Sequence, residues 1–135
     1  MKKAAVIYKT KYGAAEVYAK HIADALHCDI FTLEESKKVD LSEYSAVIYG
    51  GGVHAGGIRG FDVFEKTVKK YKDKVNFTIF TCGMNVQNFE ARSQLRDVNF
   101  SKSHTKGLTC YFFDGKFDPE SVKGLDKGII KWTRK

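Results

Sequence analysis

Four runs of apolar and β-branched residues constrain this chain more than anything else in it: Ala4 to Tyr8 (AAVIY), Ala46 to Tyr49 (AVIY), Asn76 to Cys82 (NFTIFTC) and Leu108 to Phe113 (LTCYFF). None shows the strict polar/apolar alternation of a sheet with one wet face. Continuous apolar character is what a strand needs when helices cover both faces of its sheet, the arrangement of a parallel sheet. Between the runs the period changes. Ala14, Val17, Tyr18, Ile22, Ala25 and Leu26 recur at helical spacing, with Glu16, Lys20 and Asp24 opposite them. Phe61, Phe64, Val68 and Tyr71 mark a second helix, and Phe89, Ala91, Leu95 and Val98 a third. Asp118-Pro119 opens another with a capping side chain and a residue that has no amide hydrogen to lose, lined by Val122, Leu125 and Ile129. With Asp29 to Leu33 as a fifth strand, the alternation predicts a three-layer α/β fold. Its expected core is a doubly wound, five-stranded parallel sheet in the order 2-1-3-4-5.

A chain of 135 residues, 43% hydrophobic, suits one domain over residues 1–135 with a real core. No apolar stretch is long enough to cross a bilayer and no signal peptide opens the chain, so a soluble, cytoplasmic protein is expected. Cys28, Cys82 and Cys110 are widely spaced, with no C-x-x-C pair and no metal-ligand pattern, and read as reduced thiols packed as small hydrophobes. The formal net charge of +7 favours anionic partners, and a peripheral membrane contact is compatible with it. The lysines are scattered rather than interleaved with aromatics, so nucleic acid is not expected. The densest cluster, Lys69, Lys70, Lys72 and Lys74, reads as a solvated helix end. Monomer and homodimer are both compatible with the sequence.

In a doubly wound sheet, ligands sit beyond the carboxyl ends of the strands, where the winding reverses between strands 1 and 3. Three loops converge there: Lys9 to Ala14, Gly50 to Gly60, and Cys82 to Asn88. The first leads into a helix N-terminus, whose open amides and dipole favour an anion. Thr10 offers a hydroxyl, Gly13 lets the backbone approach closely, and Lys9 and Lys11 add charge. An ordinary capped turn fits the same residues. The second loop, GGGVHAGGIRG, holds six glycines in eleven residues and suits a planar ring, although a mobile surface loop fits that composition too. His54 is read as a passive contact, and Arg59 as a residue facing water. In the third loop, Gly83, Met84 and Asn85 are placed to cover the far side of a ring, with Cys82 as packing. No side-chain acid or base stands out as catalytic, and no metal site is expected.

Absences exclude several familiar phosphate sites. The chain has no G-x-G-x-x-G after strand 1 and no G-x-x-x-x-G-K-[ST]. A receiver domain would need an aspartate ending strand 3, where Gly50-Gly51 stand. A phosphatase of this topology would need a cysteine in the first loop, which holds none.

At these loops the sequence resembles the flavodoxin family, sharpest over VIYKTKYGAAEVYAKHIADAL, DLSEYSAVIYGGGVHAGG and NFTIFTCGM. Thr10-Lys11-Tyr12-Gly13-Ala14-Ala15 fits the family's phosphate-loop form S/T-x-T/Y-G-x-T/S except at Ala15, whose missing hydroxyl costs about 1 kcal/mol of phosphate binding. The resemblance implies FMN. Its phosphate would lie on Thr10, Lys11, Tyr12, Gly13, Ala14 and Ala15, and its ring by Gly51, Gly52, Val53, His54, Ala55, Gly56, Cys82, Gly83, Met84 and Asn85. AVIYGGGVHAGG and CYFFDGKFDPESVKGLDKGIIKW are similar to short flavodoxin-domain proteins that include the menaquinone-dependent protoporphyrinogen oxidases. Electron-carrying flavodoxins generally sandwich the ring between aromatics in an acidic surround, whereas this chain offers His54, Met84 and a basic balance. The resemblance therefore implies an oxidoreductase passing electrons between a small-molecule donor and an acceptor such as a quinone. A carrier between protein partners, and a module that kept the fold without a flavin, stay open beside it.

Overall fold

A computed structural model describes residues 3–11, 13–83 and 88–122. Strands β1 (Lys3–Lys9), β2 (Asp29–Thr32), β3 (Tyr44–His54), β5 (Asn76–Gly83) and β6 (Thr109–Asp114) form one parallel sheet in the order β2-β1-β3-β5-β6. A two-residue strand β4 (Gly57–Ile58) turns back antiparallel onto the end of β3. Without β4, the order is the doubly wound 2-1-3-4-5 expected from the sequence, and the winding reverses between β1 and β3.

Both faces of the sheet are covered. On one lies α1 (Ala14–Leu26), which buries Ala15, Tyr18, Ala19, Ile22 and Ala23 against Val6, Ile48, Phe80 and Phe113. Val17 and Ala25, expected on that face, are exposed. On the other face α3 (Phe61–Tyr71) buries Phe61, Phe64 and Val68 against Ile7, Tyr49 and Ile79, with Tyr49 and Phe64 stacked at 4.4 Å.

Five local expectations need correction. Strand 2 ends at Thr32 because Thr32 and Glu35 form a capping box that starts a one-turn helix, α2 (Leu33–Ser36). The stretch from Gly50 is no open loop, since β3 runs on through Gly50, Gly51 and Gly52 to His54 and pairs with β4. Helix α4 (Phe89–Asn99) buries Leu95, but Phe89 is 84% and Val98 64% exposed. Arg92 and Arg96 cover the sheet in their place, their guanidinium carbons 4.9 and 5.5 Å from the Phe112 ring centroid. After β6, Pro119–Val122 form a 3-10 turn that Asp118 caps through the Glu120 amide, while Leu125 and Ile129 lie outside the described residues. Lys9, expected to lend charge to the first loop, is held by Glu34 at 2.7 Å.

A buried carboxylate ties α3 to the segment after α4. Glu65 Oε1 lies 2.9 Å from Lys102 Nζ, and Oε2 contacts His104 Nε2. These contacts, His104 first and Lys102 second, hold the Glu65 carboxyl below its ordinary value of 4.5. A depressed carboxylate contributes stability above that value and loses it as pH falls through the folded pKa. We expect thermal stability to drop below about pH 4.5 with a shallower slope in Glu65→Gln, which at neutral pH is about 1–2 kcal/mol less stable. Parallel melting curves from pH 7 to 3 check both.

Candidate functional site

Register brings the candidate residues together. In neighbouring strands Tyr8 pairs with Gly50 and Gly50 with Phe80, then Lys9 with Gly51 and Gly51 with Thr81, and finally Gly52 with Cys82. The carboxyl ends of the three central strands therefore lie side by side, with β3 running on past β1 to His54. Close approach explains the glycines: a Cβ on Gly51 would lie 2.4 Å from the Arg59 carbonyl, and Thr81 Oγ1 already donates to Gly51 O at 2.8 Å.

The first loop enters α1 through Gly13, whose φ of 93° lies in the left-handed region that favours glycine. Thr10 Oγ1 accepts from the Gly13 amide at 2.9 Å, folding the loop back on itself and leaving the hydroxyl hydrogen to donate outward. No side chain caps α1, so its first-turn amides face the loop. Glu16, the acid of that turn, is drawn aside by Tyr8 at 3.2 Å and Lys20 at 3.1 Å.

A cavity of about 430 Å³ opens between these elements. Of the residues expected at a cofactor, Thr10, Lys11, Ala14, Ala15, Gly52, Val53, Cys82 and Gly83 line it. Gly13 and Gly51 shape its backbone rather than its wall. His54 lines a neighbouring cleft of about 710 Å³ instead, and Ala55 and Gly56 form the exposed tip of the β3–β4 hairpin. Tyr12, Met84 and Asn85 lie outside the described residues. Among the described residues lining the cavity, none is aromatic. Burial pushes the Cys82 thiol up to about 11, so it stays protonated at neutral pH and packs as an apolar group; Cys28 and Cys110 are raised likewise, to about 11 and 12.

Two wall residues escaped the sequence reading. Arg59, read as facing water, lines both the cavity and the cleft. Its backbone explains its position: the amide donates to Gly52 O at 2.9 Å, and the Tyr49 hydroxyl donates to its carbonyl at 2.6 Å. Gly115 closes the other side. Its loop is held by Tyr18, whose hydroxyl lies 3.0 Å from the carbonyls of Asp114 and Lys116 and accepts from the Asp118 amide at 3.0 Å. No local signal could have revealed contacts across about a hundred residues.

Residues 5–135 match the family described as flavodoxin domain. The chain belongs to that family. Flavodoxin structures share its fold. A flavodoxin from the domain Archaea is 16% identical with a TM-score of 0.63, covering 93% of this chain and 92% of the other. A short-chain flavodoxin associated with a PDU bacterial microcompartment is 18% identical with a TM-score of 0.66, covering 97% and 98%. Oxidised flavodoxin 2 from Bacillus cereus is 14% identical with a TM-score of 0.63, covering 98% of each chain. No curated protein matches the sequence. Membership of the flavodoxin-domain family implies flavin-dependent electron transfer, typically through FMN.

The cavity passes a physical test for that group. A phosphate monoester needs convergent donors at one end, which the Thr10 hydroxyl and the uncapped amides of α1 supply. A flat ring needs walls without protruding side chains, which Gly52, Gly83 and Gly115 supply. Among the described residues no helix is long and apolar enough to cross a membrane, and no cluster of His, Cys, Asp and Glu is arranged to hold a metal ion.

Proposed function

We propose that this protein is an FMN-dependent oxidoreductase passing electrons between a small-molecule donor and an acceptor such as a quinone. The observation carrying this reading is the cavity itself: small residues and backbone line it, no aromatic side chain among the described residues covers it, and Lys11 and Arg59 give it a basic rim. When bound, FMN supplies the reversible uptake of electrons. The chain's own part is binding and orientation. Thr10 and the amides of Ala14 and Ala15 would hold the phosphate, and Gly52, Val53, Cys82 and Gly83 would set the plane of the ring. The cationic rim favours negative charge developing there. A ring face that no described aromatic covers would leave room for a planar partner to stack. We further read AVIYGGGVHAGG as similar to menaquinone-dependent protoporphyrinogen oxidases, which makes a porphyrinogen one donor to assay. We also read the chain as soluble and cytoplasmic, with a peripheral membrane contact compatible with its net charge of +7.

One observation favours a second reading, an electron carrier between proteins. Phe89, 84% exposed, opens α4 directly after the third loop and offers an apolar contact to a partner. Turnover separates the two. FMN-loaded protein is assayed with NAD(P)H or protoporphyrinogen as donor and a menaquinone analogue as acceptor, and separately with a flavodoxin reductase. Steady quinone reduction supports the enzyme. Reduction by the protein partner alone supports the carrier.

A further inference from the structure

We propose that Asn99, at the end of α4, is a positioning residue for the cofactor cavity, acting through the β3–β4 hairpin. The inference rests on the FMN reading above. Asn99 Oδ1 accepts from the Ile58 amide at 3.1 Å, and Nδ2 donates to Leu95 O at 2.8 Å, with a longer contact of 3.5 Å to Gly56 O. The orientation of the side-chain amide is fixed by this chemistry. A flipped amide would set its NH2 against an N–H and its oxygen against two carbonyls.

The hairpin depends on outside support. It has only two residue pairs, Val53 with Ile58 and His54 with Gly57, and a ribbon so short is marginal alone. Its tip places two residues in succession in the left-handed region, Ala55 at φ 50° and Gly56 at φ 80°. This is the pattern of a tight hairpin turn, and for alanine it carries a steric cost that surrounding contacts must hold in place.

Ile58 shows where the support enters. The residue is buried, and its amide points away from β3 toward α4, where Asn99 is its partner. Without Asn99 that part-buried amide would lose its partner within the protein and be left to water in the cleft. One residue on, Arg59 pairs with Gly52, and Ile58 itself pairs with Val53; Gly52 and Val53 are cavity wall. Asn99 does not line that cavity. It lines the cleft behind the hairpin, so any influence on the cofactor passes through the backbone it grips.

The test uses Asn99→Ala and Asn99→Asp in the full chain. Two quantities are measured: hydrogen exchange of the Ile58 amide without cofactor, and the dissociation constant of oxidised FMN, with inorganic phosphate as competitor. We expect Asn99→Ala to exchange at Ile58 about tenfold faster and to bind FMN about tenfold more weakly, the size of one lost hydrogen bond. The phosphate competition constant should stay unchanged, because the Thr10 loop is not touched. Asn99→Asp keeps the acceptor for Ile58 but sets a carboxylate oxygen against the Leu95 carbonyl, so it should speed Ile58 exchange and weaken FMN binding in the same direction as Asn99→Ala. Unchanged exchange in Asn99→Ala overturns the latch, and faster exchange with unchanged FMN affinity overturns the positioning role. If Asn99→Ala fails to fold, Asn99→Asp decides alone: unchanged Ile58 exchange, or faster exchange with unchanged FMN affinity, contradicts the proposal, and faster exchange together with weaker FMN binding supports it. Wild-type protein that binds no FMN sinks the parent reading and the positioning role with it, a result distinct from all of these.

Discussion

Gly50→Ala lowers stability by about 3 kcal/mol or more. A Cβ at Gly50 would lie 1.9 to 2.4 Å from three ring carbons of Phe80, where van der Waals contact needs about 3.5 Å or more. The ring has no free direction. Phe80 is fully buried, with Phe113 at 5.3 Å and Tyr18 at 6.3 Å between ring centroids. Phe80 is also the cross-strand partner of Gly50, so it fills the space that a side chain there would occupy. Backbone movement is blocked as well, because β3 is paired on both sides, to β1 and to β5. Against a total stability of about 5–15 kcal/mol, this loss lowers the midpoint of denaturant unfolding far outside error. Two controls separate the clash from a general dislike of alanine. Gly107→Ala, with nothing within 4 Å of its added carbon, stays within about 0.5 kcal/mol of wild type. Adding Phe80→Leu to Gly50→Ala recovers part of the loss by removing the ring that obstructs it.

The second large effect is on binding. Thr10→Val weakens FMN by about 10- to 100-fold while leaving riboflavin binding unchanged. Valine keeps the shape of threonine but deletes both functions of its hydroxyl. It removes the acceptor at 2.9 Å from the Gly13 amide, which folds the loop, and the donor directed at a phosphate oxygen. Hydrogen bonds to a charged group contribute about 1.5–3 kcal/mol, which sets the range. The loop's remaining amides cannot move in to compensate, because Gly13 already sits at φ 93° to place them. Equal weakening of FMN and riboflavin would mean that Thr10 acts on the fold rather than on the phosphate. Lys9→Met, by contrast, should change FMN affinity little, since its ammonium is committed to Glu34 at 2.7 Å.

What the sequence made legible follows from range. Strands buried on both faces announce themselves by continuous apolar runs, and all five parallel strands lie on those runs, four of them within one residue at each end and β3 running on well past its own. The strand order followed from them, because alternation with helices leaves few ways to wind a parallel sheet. β4 and the extension of β3 were missed because glycines in GGGVHAGG carry no side-chain period, and an ordered hairpin then resembles a loop. The face of α4 was misread for a different reason. Apolar spacing placed Phe89 and Val98 inward, whereas Arg92 and Arg96 cover Phe112 with their guanidinium planes, an amphipathic solution that a polar/apolar code cannot express.

At the candidate site, the first loop and the glycine-rich end of β3 were readable as cavity walls because their signals are local to a few residues. Arg59, Tyr18 and Asn99 were not. Tyr18 and Asn99 act through contacts to segments that only the folded chain brings near, Asn99 across 41 residues and Tyr18 across 96 or more, whereas Arg59 is placed by the hairpin that the glycines concealed. Lys9 failed for the same reason in the opposite sense: a partner 25 residues away removed it from the role its position suggested.

The central claim is that the uncapped start of α1 and the Thr10 hydroxyl grip a phosphate monoester while the strand ends hold a flat ring. Titrating cofactor-free protein into FMN and into riboflavin, with flavin fluorescence as the signal, tests it most directly. The account predicts quenching by both and binding of FMN about a hundredfold or more tighter than riboflavin, the difference being the phosphate. Equal affinities, or no quenching by either at high protein concentration, would contradict it.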